Sequence, residues 1–157
     1  MKTRVGTFFD GGTKTGVAVM TYEQKPKLLF VDTIRLERFA SYGMRLHHLD
    51  GAIQSIIDKW KPWHIGFEAP FSGGKAFGSR LPICCAGKIE EVADRNRITC
   101  SEVAPSTIKL VVAESGRAEK LAVRAGVFNL GYKFVGEHEA DAIGTGLVCI
   151  NNWLLGR

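Results

Sequence analysis

The sequence predicts an α/β fold: one mixed five-stranded sheet, three strands antiparallel and then two parallel, flanked by helices. Three features of the chain lead there. Short segments rich in Val, Phe, Thr and Leu open it in close succession. From the middle onward strand-like and helical patterns alternate, and the end returns to apolar residues at helical spacing.

Arg4 to Asp10, Thr15 to Tyr22 and Lys27 to Arg35 read as three consecutive strands, separated by a Gly-Gly-Thr-Lys turn and a Glu-Gln-Lys-Pro turn. From Ser41 to Trp60, Leu49, Ile53, Ile56, Ile57 and Trp60 share one helical face, and Ser41 can cap that helix. Pro62 to Glu68 then reads as a buried strand, stopped by Pro70. A Gly-rich loop, Phe71 to Lys75, leads into a helix that starts at Ser79 or Leu81 and runs to Arg95. Arg97 to Val103 makes the fifth strand. Ser106 is the expected cap of a helix over Thr107 to Ala113, another helix runs from about Arg117 to Asn129, and the last starts at Glu137 or His138 and continues toward Trp153.

With 157 residues there is room for one domain with a real core, so the whole of 1–157 is expected to form a single unit. Hydrophobic residues make up 45% and charged residues 24%, which argues against disorder. No apolar stretch approaches the ~20 residues a membrane helix needs, and Met1 to Asp10 lacks the apolar core of a signal peptide, so a cytoplasmic protein without membrane contact is expected. Cys84, Cys85, Cys100 and Cys149 have no Cys-x-x-Cys spacing and read as free thiols; the four histidines offer no zinc partner set. A formal charge of +5 suits a polyanionic partner, and it becomes informative where bases line the approach to clustered acids.

Three acids stand out by position. Asp10 ends an apolar strand just before Gly11 and Gly12; by itself it also suits a turn residue bonded to its own backbone. Glu68 ends the buried run Ile65-Gly66-Phe67, and by itself it also suits a helix cap or a partner for arginine. Asp141 lies in Glu137-His138-Glu139-Ala140-Asp141-Ala142-Ile143-Gly144, where acids are favoured by the helix dipole, yet the small and apolar residues after it place its turn against the sheet. Residues three or four apart share a helix face, so His138 points the same way as Asp141, and Glu137 pairs with it. Carboxylates from separate elements at one end of a sheet are the hard oxygen donors that Mg2+ or Mn2+ takes, and a two-metal site of that kind hydrolyses phosphodiesters.

These residues, in this order, resemble the RuvC-type Holliday-junction resolvases, which have a ribonuclease H-like fold. The resemblance covers nearly the whole chain. It rests on Asp10-x-Gly12 with Thr15-Gly16; the strand ending in Glu68 with Phe71 after it; Val103-Ala104-Pro105-Ser106 with Lys109; Gly116-x-Ala118-x-Lys120 with Val123; and His138-x-Ala140-Asp141-Ala142. It implies a RuvC-like nuclease domain with four catalytic, metal-binding positions, here Asp10, Glu68, His138 and Asp141. His138 departs from the commoner Asp; a neutral imidazole carries one negative charge fewer and suits manganese better than magnesium. The resemblance further implies structure-specific cleavage of branched DNA, four-way junctions above all, by a homodimer that cuts two strands, with the Leu81 to Arg95 helix as candidate interface. Candidate DNA contacts are Phe71, Lys75, Phe77 and Arg80 beside Glu68, with Lys109, Arg117 and Lys120 later. The small size suits a phage-encoded member acting in the host cytoplasm.

Two other readings share these residues. A relative that keeps the fold and positive surface but has lost turnover would bind DNA as an adaptor, and His138 is the residue that raises the idea. Asp10 to Thr15 also resembles the phosphate loop of ATP-binding sugar kinases, but those proteins close two lobes around the nucleotide, and this chain has length for one.

Overall fold

Strand β1, Val5–Asp10, is covered on both sides, because successive side chains of a strand leave opposite faces: Phe8 enters one core and Phe9 the other. The protein is seen here in a computed structural model that describes residues 3–70 and 80–156. The sheet order is β3-β2-β1-β4-β5. Strands β2, Lys14–Thr21, and β3, Leu28–Arg35, run antiparallel to their neighbours, whereas β4, His64–Glu68, and β5, Thr99–Val103, are parallel to β1. Three antiparallel and then two parallel strands is the arrangement read from the sequence. A short 3-10 turn over Leu36–Arg38, absent from the expectation, buries Leu36 in the core beside Leu49 and Ile53.

One face of the sheet carries α1, Tyr42–Trp60, and α2, Arg80–Arg95. Leu49, Ile53 and Ile57 of α1 and Leu81, Cys85, Ile89 and Val92 of α2 bury against Phe9, Ile65 and Phe67. Ser41 caps α1 as expected, its Oγ accepting the Met44 N–H at 3.1 Å. The opposite face carries α5, Glu137–Leu154, which is covered in turn by α3, Pro105–Ala113, and α4, Lys120–Asn129. Among the described residues no helix is long and apolar enough to cross a membrane.

Three boundaries differ from the expectation for identifiable reasons. Ser106 does not cap α3: the N-cap is Ala104, and Pro105 takes the first helical position, where a missing N–H costs nothing. Helix α4 begins at Lys120 rather than near Arg117, because residues 115–118 close a turn in which the Ala118 N–H donates to the Ser115 carbonyl at 3.0 Å. Strand β5 starts at Thr99 because Arg97 takes a left-handed φ of 57° to end α2. Phe71, Lys75 and Phe77, and the Ser79 end of the helix start, lie outside the described residues.

Two close approaches set α5 on the sheet. Gly146 faces the Phe8 ring, where an added Cβ would come within 2.6 Å of it. At Gly16, the partner of Asp10 across β1 and β2, an added Cβ would collide with the His138 backbone carbonyl. The start of α5 is further held by Glu139, which is buried; its carboxylate accepts the Val135 N–H at 2.6 Å and the Thr33 hydroxyl at 3.3 Å. The N-terminus of α5 therefore lies against β2 and β3, beside the Asp10 end of β1.

Candidate metal centre

Asp10 sits at the C-terminal end of β1, and the turn after it is held by other groups. The Gly12 N–H donates to Thr15 Oγ1 at 3.2 Å, and the Thr15 hydroxyl donates back to the Gly12 carbonyl at 2.9 Å. Asp10 is thereby released from turn duty, and its Oδ2 lies 2.8 Å from His138 Nδ1. Glu68 ends the neighbouring parallel strand β4. Among the described residues it caps no helix and has no arginine partner within 4.0 Å, so neither of its plainer roles is present. Asp141 comes one turn into α5, between the buried residues Ala140 and Ala142.

The carboxylates of Asp10, Glu68 and Asp141 each offer an oxygen, and the three oxygens lie within 4.8 Å of one another. Their electrostatics show what such crowding costs. Burial, and then the Asp10 and Asp141 charges, push the Glu68 pKa up to about 8. Burial and Asp10 push Asp141 up to about 6. Like charges in a partly dry site resist ionisation together. A divalent cation removes that resistance, and three hard oxygens are the donor chemistry magnesium and manganese take, so the residues fit such an ion.

His138 is close by but placed differently. Its Nδ1 is committed to Asp10, its Nε2 lies 3.7 Å from Glu137 Oε1, and it stands outside the mutually close set of three. The Asp10 contact raises its pKa above the ordinary imidazole value. Glu137, expected to pair with Asp141, instead has its Oε2 3.3 Å from Lys120 Nζ.

A cleft of about 200 Å³ opens beside the carboxylates, lined by Glu68, Asp141, Lys109 and Lys120 over an apolar floor of Ile108 and Val123. Two of the basic residues singled out from sequence are thus at the mouth. Arg80 is not: at the start of α2 its guanidinium stacks 4.8 Å from the centre of the Tyr42 ring. Arg117 lies exposed in the turn before α4. Sequence reasoning missed the Glu137 bridge and the Glu139 anchor. A cluster of acids at a helix start gives no sign of which carboxylate faces inward.

The family profile for "Crossover junction endodeoxyribonuclease RuvC" matches residues 8–148. The chain belongs to the RuvC family. It is 30% identical over 133 residues to the RuvC of Prochlorococcus marinus, a match covering 82% of this chain and 84% of that one. To the RuvC of Bacteroides fragilis it is 29% identical over 116 residues, or 69% of this chain. There the chain spans only 61% of the relative's length. Thermus thermophilus RuvC, solved in complex with a Holliday junction substrate, superposes with a TM-score of 0.86 at 19% identity, covering 98% of this chain and 96% of that one. The fold is therefore the ribonuclease H-like fold of RuvC structures.

Proposed function

We propose that this RuvC family member is a metal-dependent, structure-specific DNA endonuclease that resolves four-way junctions by paired phosphodiester hydrolysis. The observation that carries the reading is the convergence of Asp10, Glu68 and Asp141, from β1, β4 and α5, within 4.8 Å. Asp10, Glu68 and Asp141 would hold Mg2+ or Mn2+ in a two-metal site, with His138 beside them. Bound there, a divalent cation supplies Lewis acidity to the phosphate and neutralises charge on the leaving oxygen.

The chain's own groups do the rest. The three carboxylates, from β1, β4 and α5, would hold the cation at one end of the sheet. Lys109 and Lys120, across the cleft from those acids, neutralise the non-bridging phosphate charge and hold the backbone in place. His138 orients the Asp10 carboxylate through the 2.8 Å contact, which sets the direction of its free oxygen. The apolar floor of Ile108 and Val123 limits water in the cleft. Two copies of the chain, paired through the outer face of α2 where Ile83 is exposed, match the two-fold symmetry of a four-way junction.

The test compares four-way, three-way, flap, duplex and hybrid substrates with Mg2+, with Mn2+ and with chelator. The expected result is metal-dependent cutting of the four-way junction in preference to duplex. Asp10→Asn is expected to lose cleavage by about a hundredfold or more while keeping junction binding, since carboxylates serve the chemistry and lysines the affinity. Cleavage by Asp10→Asn within a few-fold of wild type overturns the site. Junction binding without cutting under every metal condition favours the adaptor reading instead.

A further inference from the structure

Lys120 and Glu137 are the first residues of α4 and α5. A carboxylate at a helix N-terminus is favoured by the helix dipole, but an ammonium there is opposed by it. The position of Lys120 is therefore not explained by the stability of α4. Its Nζ lies 3.3 Å from Glu137 Oε2, and the other Glu137 oxygen faces His138 Nε2 at 3.7 Å. Among the described residues Lys120 makes no other ion pair within 4.0 Å, although it lines the same cleft as Glu68 and Asp141.

This placement calls for a restraint. Lysine carries a compact charge on a flexible four-carbon stem. Three crowded carboxylates attract any cation within reach, and the Lys120 ammonium is a permanent internal competitor at high effective concentration. Its ion-pair partner is instead the carboxylate of Glu137, which is not among the residues that line the cleft.

We propose that Glu137 is a positioning residue that holds the Lys120 ammonium at the rim of the cleft and so keeps the Asp10, Glu68 and Asp141 cluster open to the divalent cation. The proposal rests on the nuclease reading of that cluster and adds a device to it. Without Glu137, the lysine swings inward and occupies the cation's place as a tethered surrogate. Glu137 acts only through Lys120, so its effect must vanish when Lys120 is gone.

The test is calorimetric titration of Mn2+ into the full chain, without DNA, for wild type, Glu137→Gln, Lys120→Met and the double variant. Glu137→Gln is expected to bind Mn2+ about tenfold more weakly, as a charge brought beside the cluster competes directly. Lys120→Met is expected to bind at least as tightly as wild type, and the double variant to match Lys120→Met. Thermal melting confirms that each variant folds, and Glu137→Ala serves with the same expectations should the Gln variant not. Equal weakening in both backgrounds makes Glu137 merely a remote negative charge and overturns the proposal, as does an unchanged affinity in Glu137→Gln. A wild type that binds no Mn2+ overturns the nuclease reading and this proposal together, whereas a wild type that binds while Glu137→Gln behaves identically overturns this proposal alone.

Discussion

His64 shows how one buried residue gives the molecule a pH limit remote from its carboxylate site. It begins β4, at the end of the strand away from Glu68, with Nδ1 2.7 Å from the Tyr22 hydroxyl and Nε2 2.9 Å from Ser101 Oγ. Both ring nitrogens are engaged, and burial lowers the pKa from its ordinary 6.5 to about 4. The unfolded chain thus takes up a proton near pH 6.5 that the folded chain refuses until near pH 4. Stability from this residue is complete above pH 6.5 and is lost as pH falls toward 4, by on the order of 2 kcal/mol between pH 7 and pH 5. Denaturant unfolding at those two pH values should show that loss in wild type, and His64→Gln should be less stable at pH 7 but flatter across the range. Equal slopes for the two proteins would remove His64 as the cause. Nothing in the sequence around His64 marks it, because its partners are Tyr22, just past the end of β2, and Ser101 of β5, both far away along the chain. Asp10 and Glu68 were legible for the opposite reason: each is an acid at the end of an apolar strand, and strand direction alone decides where it lies.

At the level of elements, the junction between β2 and α5 decides whether the site exists. Gly16 lies opposite Asp10 in the β1–β2 ladder, and the His138 carbonyl occupies the space a side chain there would need. The obstruction is backbone, which cannot rotate away as a side-chain tip can. Gly16→Ala is therefore expected to push the start of α5 off the sheet, to cost about 1–3 kcal/mol as overpacking does, and to abolish cleavage. Thermal melting and the junction assay read the two effects, and a variant with wild-type melting and wild-type cleavage would falsify the packing account. Helix α5 itself was visible from the spacing of its apolar residues, as was α1 with its Ser41 cap. The starts of α3 and α4 were not. A proline that serves at the first helical position displaced the Ser106 cap that residue type suggested, and a turn closed by backbone at residues 115–118 moved the start of α4 past Arg117. Spacing reports which face of a helix is covered, but not which carboxylate of a first turn meets a lysine from another helix. That is why Asp141 was foreseen in the site and the Glu137 to Lys120 pair was not.

Over the whole molecule, bases outnumber acids by five, yet three acids gather in one site, and two of the bases, Lys109 and Lys120, line the cleft beside it, as the proposed cleavage of a polyanion needs. The described residues of one chain contain one such set of carboxylates. A four-way junction has two-fold symmetry, and resolving it takes two cuts, so the proposed paired hydrolysis needs two chains, each committed to one strand. On the face of α2 turned from the sheet Ile83 is 52% exposed, and the proposed pairing would set it against the same residue of a second copy, as an isologous contact demands. The number of chains at work can be read from product shape. On a supercoiled plasmid that extrudes a cruciform, two coordinated cuts give linear DNA, whereas one cut gives a nicked circle. Wild type is expected to give mainly linear product. Refolding wild type with an equal amount of Asp10→Asn should make about half of all dimers mixed, by random pairing of two subunits. Each mixed dimer can cut only one strand, so nicked circles should rise sharply at the expense of linear product. If the mixture instead gives the wild-type ratio of linear to nicked DNA at a reduced rate, each chain works alone and the paired mechanism fails, while the metal centre within the chain stands untouched.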